Sequence, residues 1–355
     1  MPRQGWSRRQ RLQGTGTVRV ARIGRAGRFL AAALVLCAAA APPARAADGL
    51  TIAVIAKSEA NLVFLSAWKG AEDTAAELSR SHGVPIEVTW LTPPREDAAL
   101  QAERIGQAVR DGAQAVLIAC SDEKTLTPAI DAAVAKGVAV MTFDSDAPAS
   151  RRFAFYGPDD ADIGEKLAAD LAELMGGKGK IAVLAGNPSA PNLKARTAAV
   201  RAAASRRGLE VVEVVHHAET PQDAAAAMLK TTAAHPELAG WALVGGWPLF
   251  RSGQTPALVA ELQRRRLKVV AVDALPEQLT YVERGLVPVL WAQPTYKWGE
   301  VGVRTIVEKL LLKKSPPEIL RMELVRVSGQ NLGTWARRLR DWGFSGIPDE
   351  YLKLP

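Results

Sequence analysis

From Leu50 onward the chain alternates short, continuously apolar segments with longer segments in which apolar residues recur at helical spacing. The first pair is Leu50–Ala56, apolar enough to be buried on both faces, and Trp68–Arg80, an amphipathic segment. Further pairs follow up to the predicted strand Val138–Asp144. This pattern predicts consecutive βαβ units, which build a parallel sheet covered by helices.

The same series then starts again at Lys180–Gly186 and runs to the predicted strand Lys268–Ala274. Glycines such as Gly112, Gly137 and Gly208 follow predicted helices, a position typical of helix C-caps. The repetition predicts two lobes of similar topology, each of about 110–130 residues. The predicted fold class is therefore α/β, with two doubly wound, Rossmann-like lobes joined by a multi-strand hinge.

The stretch Arg151–Asp160 is charged and contains proline and glycine, so we expect the joint between the lobes there. Roughly the last 60 residues do not continue the second series, and we expect them to cross back between the lobes. The predicted N-terminal lobe comprises 47–155 plus about 294–322, and the C-terminal lobe 156–293 plus about 323–355. Three connections would then form the hinge.

Residues 1–46 differ from the rest in charge. They contain nine arginines, no lysine and no acidic residue. Subtracting nine positive charges from the formal charge of +8 leaves about −1 for the remaining chain. The basic character therefore belongs to a leader, and nucleic acid loses its main support as a partner.

The leader has the three parts of a secretory signal peptide. A basic run ends at Arg28, the apolar stretch Phe29–Ala41 follows, and the small-residue pattern Ala44-Arg45-Ala46 closes it. The apolar stretch is shorter than the roughly 20 residues that span a bilayer, which disfavours the alternative of a membrane anchor. Lipidation at Cys37 is a second alternative, but Leu36 is not the small residue that such a site requires. We expect cleavage near Ala46 and a periplasmic location.

The remaining chain offers little that would support catalysis or metal binding. Cys120 would be the single cysteine after cleavage and reads as a buried thiol at a strand end, so no internal disulfide is expected. The histidines lack metal-ligand spacing, and no nucleotide-binding or nucleophile-elbow motif follows a predicted strand. Asp144 and Asp146 could be imagined as a glycosidase pair, but their spacing offers no obvious geometry for it. We expect no catalytic residue, no metal and no cofactor.

Polar and aromatic residues follow the predicted strands in both halves, where open parallel sheets bind their ligands. The candidates are Lys57, Asn61, Phe64, Asp144, Asp146, Asn192, Arg196, Trp247, Asp273 and Gln293. Carboxylates and amides can hydrogen-bond vicinal hydroxyls, and aromatic rings can cover the apolar face of a sugar. An anion site would show more basic residues or a glycine-rich helix start. The set predicts a small neutral sugar, cyclitol or polyol as ligand.

Structural roles remain open for these residues. Asp144 and Asp273 could be helix N-caps, Asn61 could shape a turn, and Arg196 could pair with a surface acid. The two aromatic candidates could be core residues, and Trp298 is expected to be a packing residue. Because Asp144 and Asp273 end equivalent strands of similar halves, ligand contact is favoured for them.

Three segments, Ile52–Leu78, Thr142–Gly164 and Gly179–Thr197, resemble the periplasmic sugar-binding proteins of ABC transporters. The resemblance is to the ribose- and allose-binding type and extends over about residues 50–330. It implies the type 1 periplasmic binding fold. It also implies sugar contacts for the residues that match the family positions, namely Lys57, Asn61, Phe64, Asp144, Asn192, Arg196, Asp273 and Gln293.

The chain also departs from the ribose-binding pattern. Val63 stands where ribose binders often have a phenylalanine, Ser145 stands where an arginine is usual, and Trp247 stands where polar residues are common. These changes favour a larger or less polar ligand than ribose, such as a cyclitol or a modified sugar.

The predicted function is that of a monomeric solute receptor for an ABC importer, which closes over its ligand and is then recognised by the permease in the inner membrane. The alternative is a periplasmic sensing subunit that presents the sugar to a chemoreceptor or a histidine kinase. A transcriptional regulator of the same fold would need a DNA-binding helix pair where this chain carries a leader, and an enzyme is not expected.

Overall fold

The computed structural model describes residues 49–250 and 255–355. The predicted leader, with its cleavage site near Ala46 and Cys37, lies outside the described residues. Within the described ranges, no helix combines the length and the apolar character that a membrane span requires.

The first sheet has six strands in the order β11-β5-β4-β3-β1-β2, all parallel. Its strands are β1 (Leu50–Ile55), β2 (Ile86–Trp90), β3 (Ala115–Ile118), β4 (Ala139–Phe143), β5 (Ala154–Gly157) and β11 (Ile319–Arg321). Its helices are α1 (Val63–His82), α2 (Ala98–Arg110), α3 (Glu123–Ala135) and α9 (Tyr296–Leu310), which packs against α1.

The second sheet has the order β12-β10-β9-β8-β6-β7, with β12 antiparallel to β10 and the other pairs parallel. Its strands are β6 (Gly179–Gly186), β7 (Leu209–His216), β8 (Leu238–Leu243), β9 (Lys268–Val272), β10 (Val289–Ala292) and β12 (Val325–Val327). The remaining helices are α4 (Asp160–Met175), α5 (Pro191–Arg206), α6 (Pro221–Ala234), α7 (Pro256–Arg265), α8 (Leu279–Glu283) and α10 (Leu332–Asp341). The two sheets share one strand order and differ only in the direction of the last strand, β11 or β12, which confirms the predicted fold class of two doubly wound lobes.

The described chain passes three times between the two sheets, through residues 158–159, 293–295 and 322–324. The strand β5 lies inside the stretch predicted as a joint and runs across residue 155, where we placed the lobe boundary. The segment Arg321–Val327, which reads as one strand in the sequence, contains the end of β11 and all of β12, in different sheets. Strands of three or four residues carry too little periodicity to be separated by pattern alone.

The central strands form because their residues are apolar on both faces and are covered by helices on both sides. All four residues of β3 are buried, as are the last four of β8 and of β9. Side-chain caps start several helices, as when Asp97 accepts a hydrogen bond from the Leu100 N–H at 2.9 Å. The caps fix where the helices begin, and so they also fix the loops that connect the strand ends to these helices.

Glycine allows α1 and α9 to pack closely. A Cβ on Gly299 would lie 1.9 Å from the Ala67 carbonyl oxygen, so Gly299→Ala must push the two helices apart. We expect it to lower the free energy of unfolding by about 2–3 kcal/mol, as overpacking does. Urea denaturation measures this loss, and Gly329→Ala, where a Cβ meets nothing within 4 Å, is the matched control. Equal stability of the two variants would contradict the packing argument.

Candidate ligand site

A narrow cleft lies where the carboxyl ends of strands from both sheets meet. Its lining comprises Lys57, Asn61, Val63, Phe64, Asp144, Asn192, Leu193, Arg196, Glu219, Gly245, Trp247, Asp273, Gln293 and Trp298. Nine of the ten predicted residues are in this lining, and Asp146 is not.

Asp144 and Asp273 occupy matching positions in the two lobes. Each directly follows a strand and has a positive φ, of 57° and 69°, which is costly for a residue with a side chain. The N–H of Asp144 donates to the Tyr156 carbonyl at 3.1 Å, and the N–H of Asp273 donates to the Trp291 carbonyl at 2.9 Å. No helix begins at either residue, so the N-cap alternative is wrong. Paired backbone strain of this kind clusters at functional sites.

The Asp144 carboxylate joins groups from both lobes. It accepts a hydrogen bond from Asn192 Nδ2 at 3.3 Å and lies 3.4 Å from Lys57 Nζ. Lys57 Nζ also donates to Asn192 Oδ1 at 3.0 Å, so a residue after β1 contacts a residue of α5. Burial alone would lower the pKa of Lys57, but the carboxylates of Asp144, Glu96 and Glu219 raise it above its ordinary value. Lys57 is therefore a cation inside the cleft.

Arg196 organises the C-terminal side of the cleft. Its Nε donates to Asp160 Oδ1 at 2.8 Å, and its Nη2 donates to Gln293 Oε1 at 3.0 Å. Gln293 Nε2 in turn donates to Asp273 Oδ1 at 2.8 Å, while the other Asp273 oxygen accepts from the Gly246 N–H. Because Arg196 is only 2 % exposed, the surface-pair alternative for it is wrong.

Aromatic rings from both lobes border these polar groups. Phe64 packs against Phe143 and Trp298, with ring centroids 6.3 and 5.8 Å apart. From the other lobe, the Trp247 Nε1 donates to Glu219 Oε2 at 3.2 Å, and its ring lies 4.8 Å from the His217 ring. Trp298 packs in the core as expected, but it also lines the cleft.

Asp146 requires a correction. Its carboxylate accepts hydrogen bonds from Arg152 Nε and Nη2 at 2.6 and 2.7 Å and from the Thr142 hydroxyl at 2.5 Å. These bonds hold the loop that precedes β5 and keep Asp146 out of the cleft.

Asn61 lines the cleft and also shapes a turn, because its Oδ1 accepts a hydrogen bond from the Val63 N–H at 3.4 Å.

Sequence reasoning missed Glu219 and Asp160. Glu219 follows the edge strand β7 by three residues, and Asp160 begins α4, where an acidic residue is common because it favours the helix dipole. Extending the strand-end rule to the edge strand would have found Glu219.

At the cleft mouth, Asn187 links two carboxylates. Its Nδ2 donates to Glu96 Oε1 at 2.9 Å, and its backbone N–H donates to Glu219 Oε1 at 3.2 Å.

Burial and the neighbouring Glu96 carboxylate raise the pKa of Glu219 to about 7, while Lys57 opposes the shift. Between about pH 4.5 and 7 the folded protein therefore binds more protons than the unfolded chain, and the stability due to this carboxyl is lost as the pH rises. We expect the melting temperature of Glu219→Gln to gain on that of the wild type between pH 5 and 7.5. Thermal unfolding of both proteins at the two pH values checks this. A difference in melting temperature, variant minus wild type, that stays constant or falls between pH 5 and 7.5 would contradict it.

Cys120 is buried and free, as predicted, and burial raises the pKa of its thiol. Across residues 49–250 and 255–355, no group of three or more histidine, cysteine or acidic side chains is arranged to hold a metal ion.

Comparison with known proteins gives the family. The model of the periplasmic binding protein domain matches residues 52–314. The D-ribose/D-allose-binding protein of Pseudomonas aeruginosa is 27% identical over 307 residues, which cover 82% of this chain and 93% of that protein.

Solved structures agree on the fold. A solute-binding protein from Burkholderia graminis in complex with D-arabinose superimposes with a TM-score of 0.73 at 23% identity, covering 80% of this chain and 97% of the other. One from Agrobacterium vitis with bound D-fucose gives 0.74 at 23% identity, covering 81% and 99%. These similarities confirm the resemblance to periplasmic sugar-binding proteins and the type 1 fold, and the chain belongs to the periplasmic binding protein domain family.

Proposed function

We propose that this chain is the solute-binding receptor of an ABC importer, which captures one sugar or related polyol between its two lobes. The observation that supports this most strongly is the set of hydrogen bonds that joins Lys57 and Asp144 of one lobe to Asn192 of the other. Ligand hydroxyls can take over such bonds one by one, because carboxylates accept them and ammonium and amide groups donate to ligand oxygens.

The proposed site comprises the nine predicted residues of the lining, with Phe64 and Trp247 covering the apolar faces of the ligand. Residues 158–159, 293–295 and 322–324 act as the hinge, and the lobe boundaries follow these crossings. Because the ligand contacts both lobes, its binding energy stabilises the closed form. The relatives named above are a ribose- and allose-binding protein and two solute-binding proteins with bound arabinose or fucose, and they support a sugar as ligand.

In this proposal the protein is exported, cleaved near Ala46 and monomeric in the periplasm, and its closed form docks on the inner-membrane permease. A sensing role, with a chemoreceptor or histidine kinase as the partner, is the second output of the same ligand-bound state. Uptake of a labelled ligand by cells with and without the gene separates the two, because only a transport receptor is required for uptake.

A thermal-shift screen of the processed protein against pentoses, hexoses, cyclitols and polyols tests the ligand class. A ligand that binds only the folded form raises its melting temperature. At one hundred times its Kd, the ligand adds about 2.7 kcal/mol to the free energy of unfolding. A shift with at least one such compound is the expected result. No shift with any of them, or with their amino derivatives, at millimolar concentration would refute the proposed function.

A further inference from the structure

The charges in the cleft do not balance. Three carboxylates and two cations line the cleft, namely Asp144, Asp273 and Glu219 with Lys57 and Arg196, and a fourth carboxylate, Asp160, pairs with Arg196. Glu96 adds a further carboxylate at the mouth, across Asn187 from Glu219. Burial raises the pKa of both Asp160 and Asp273, although Arg196 opposes the shift in each case. A buried carboxylate is costly unless a cation or several hydrogen bonds compensate it.

The two cations make their close carboxylate contacts at one end of the cleft. Arg196 is paired with Asp160 at 2.8 Å and lies 4.0 Å from Asp144, and Lys57 lies 3.4 Å from Asp144. Glu219 has no lysine, arginine or histidine nitrogen within 4 Å in the part of the chain that the structure describes. Within the described ranges its oxygens accept hydrogen bonds from neutral donors only, the Trp247 indole N–H and the Asn187 backbone N–H. Lys57 attracts the Glu219 carboxylate only from beyond 4 Å, so among the described residues the Glu219 end of the cleft lacks a cation in direct contact.

An independent feature of the same cleft indicates a ligand oxygen. Trp298 is 1 % exposed and lines the cleft, yet its Nε1 is buried with no hydrogen-bond partner among the described residues. An unpaired buried donor costs about 1–3 kcal/mol, which a ligand hydroxyl oxygen would recover. The cleft thus offers an unpaired donor to a ligand hydroxyl and, in Glu219, a carboxyl group without a contacting cation to a ligand amine.

We propose that the ligand is a polyhydroxylated compound that carries a protonated amine, such as an amino sugar or an aminocyclitol, with the amine against Glu219 and a hydroxyl oxygen on Trp298 Nε1. This inference rests on the proposed function and specifies its ligand class. It replaces the neutral ligand expected from the sequence, which was based on a residue set lacking Asp160 and Glu219. A cation placed against Glu219 forms a charge-assisted hydrogen bond, stronger than the bond a neutral hydroxyl makes there.

Titration calorimetry at pH 7.5 with matched pairs of ligands tests the inference. The pairs are D-glucosamine with D-glucose, D-galactosamine with D-galactose, and scyllo-inosamine with scyllo-inositol. In at least one pair we expect the amine to bind at least about tenfold more tightly than its hydroxyl counterpart. Glu219→Gln should bring that ratio close to one. Glu210→Gln removes a charge of the same sign from the exposed start of the same strand, so it should leave the ratio unchanged.

Each other outcome is decisive. If a neutral compound of the pairs or of the thermal-shift panel binds and no amine binds more tightly than its counterpart, the amine inference fails and the proposed function stands. If the amine preference survives Glu219→Gln, the assignment of the amine to Glu219 is wrong. If neither the amines nor the neutral panel bind, the proposed function and the inference fail together.

Discussion

Asp144→Ala and Asp273→Ala are each expected to weaken binding of the ligand found in the screen by at least about 100-fold. Each carboxylate can accept two hydroxyl hydrogen bonds, and bonds to charged groups contribute about 1.5–3 kcal/mol each. Since 1.4 kcal/mol corresponds to a factor of ten, the loss of two such bonds exceeds 100-fold. Loss of Asp144 also leaves Lys57 without its closest carboxylate, and loss of Asp273 removes the acceptor that holds Gln293.

Titration calorimetry measures these affinities. Alanine is strained at the positive φ of both positions, so Asp144→Asn and Asp273→Asn complete the test, because asparagine tolerates this backbone conformation. If the negative charge contributes most of the binding energy, the two asparagine variants should lose most of the affinity that the alanine variants lose. Asp341→Ala, whose side chain is 71% exposed at the end of α10, is the control and should bind normally. Affinities within about threefold of the wild type in both alanine variants would remove these residues from the site.

The second large effect is on stability. Arg196→Ala is expected to lower the free energy of unfolding of the ligand-free protein by about 3–5 kcal/mol, the usual cost of breaking a buried ion pair. The guanidinium holds Asp160, Gln293 and the Val244 carbonyl at once, so its removal leaves a carboxylate without its cation and two acceptors without a donor.

Urea denaturation at pH 7.5 measures this loss, with Arg201→Ala on the exposed side of α5 as control. This loss in the free energy of unfolding comes largely from the Asp160 carboxylate, which Arg196→Ala leaves without a cation. The loss should be smaller at pH 5, where that carboxylate takes up a proton more readily. A loss below about 1 kcal/mol, or a loss that does not change with pH, would show that Arg196 does not hold the buried charges as described.

The two sheets could be predicted because their central strands are buried on both faces and alternate with amphipathic helices. The pattern failed for β5, β11 and β12, which have three or four residues each and pair only through the tertiary fold. No local periodicity could show that β11 and β12 belong to different sheets.

Most of the cleft could be predicted from one rule, that parallel strands present their carboxyl ends to the ligand. This rule located Asp144, Asp273 and Gln293 together with the residues of α5. It could not exclude Asp146, because the sequence does not show that Arg152 would take its carboxylate. It also could not reveal the charge imbalance, which depends on how Glu219 and Asp160 are placed by the turn after β7 and the start of α4.

The central claim is that one ligand brings the two lobes together around itself. Small-angle X-ray scattering of the processed protein, with and without the ligand from the screen, tests this directly. We expect saturating ligand to lower the radius of gyration and to bring the scattering curve into agreement with the structure described here, in which Lys57 contacts Asn192. A ligand that binds by calorimetry but leaves an open, unchanged scattering curve would contradict capture by lobe closure.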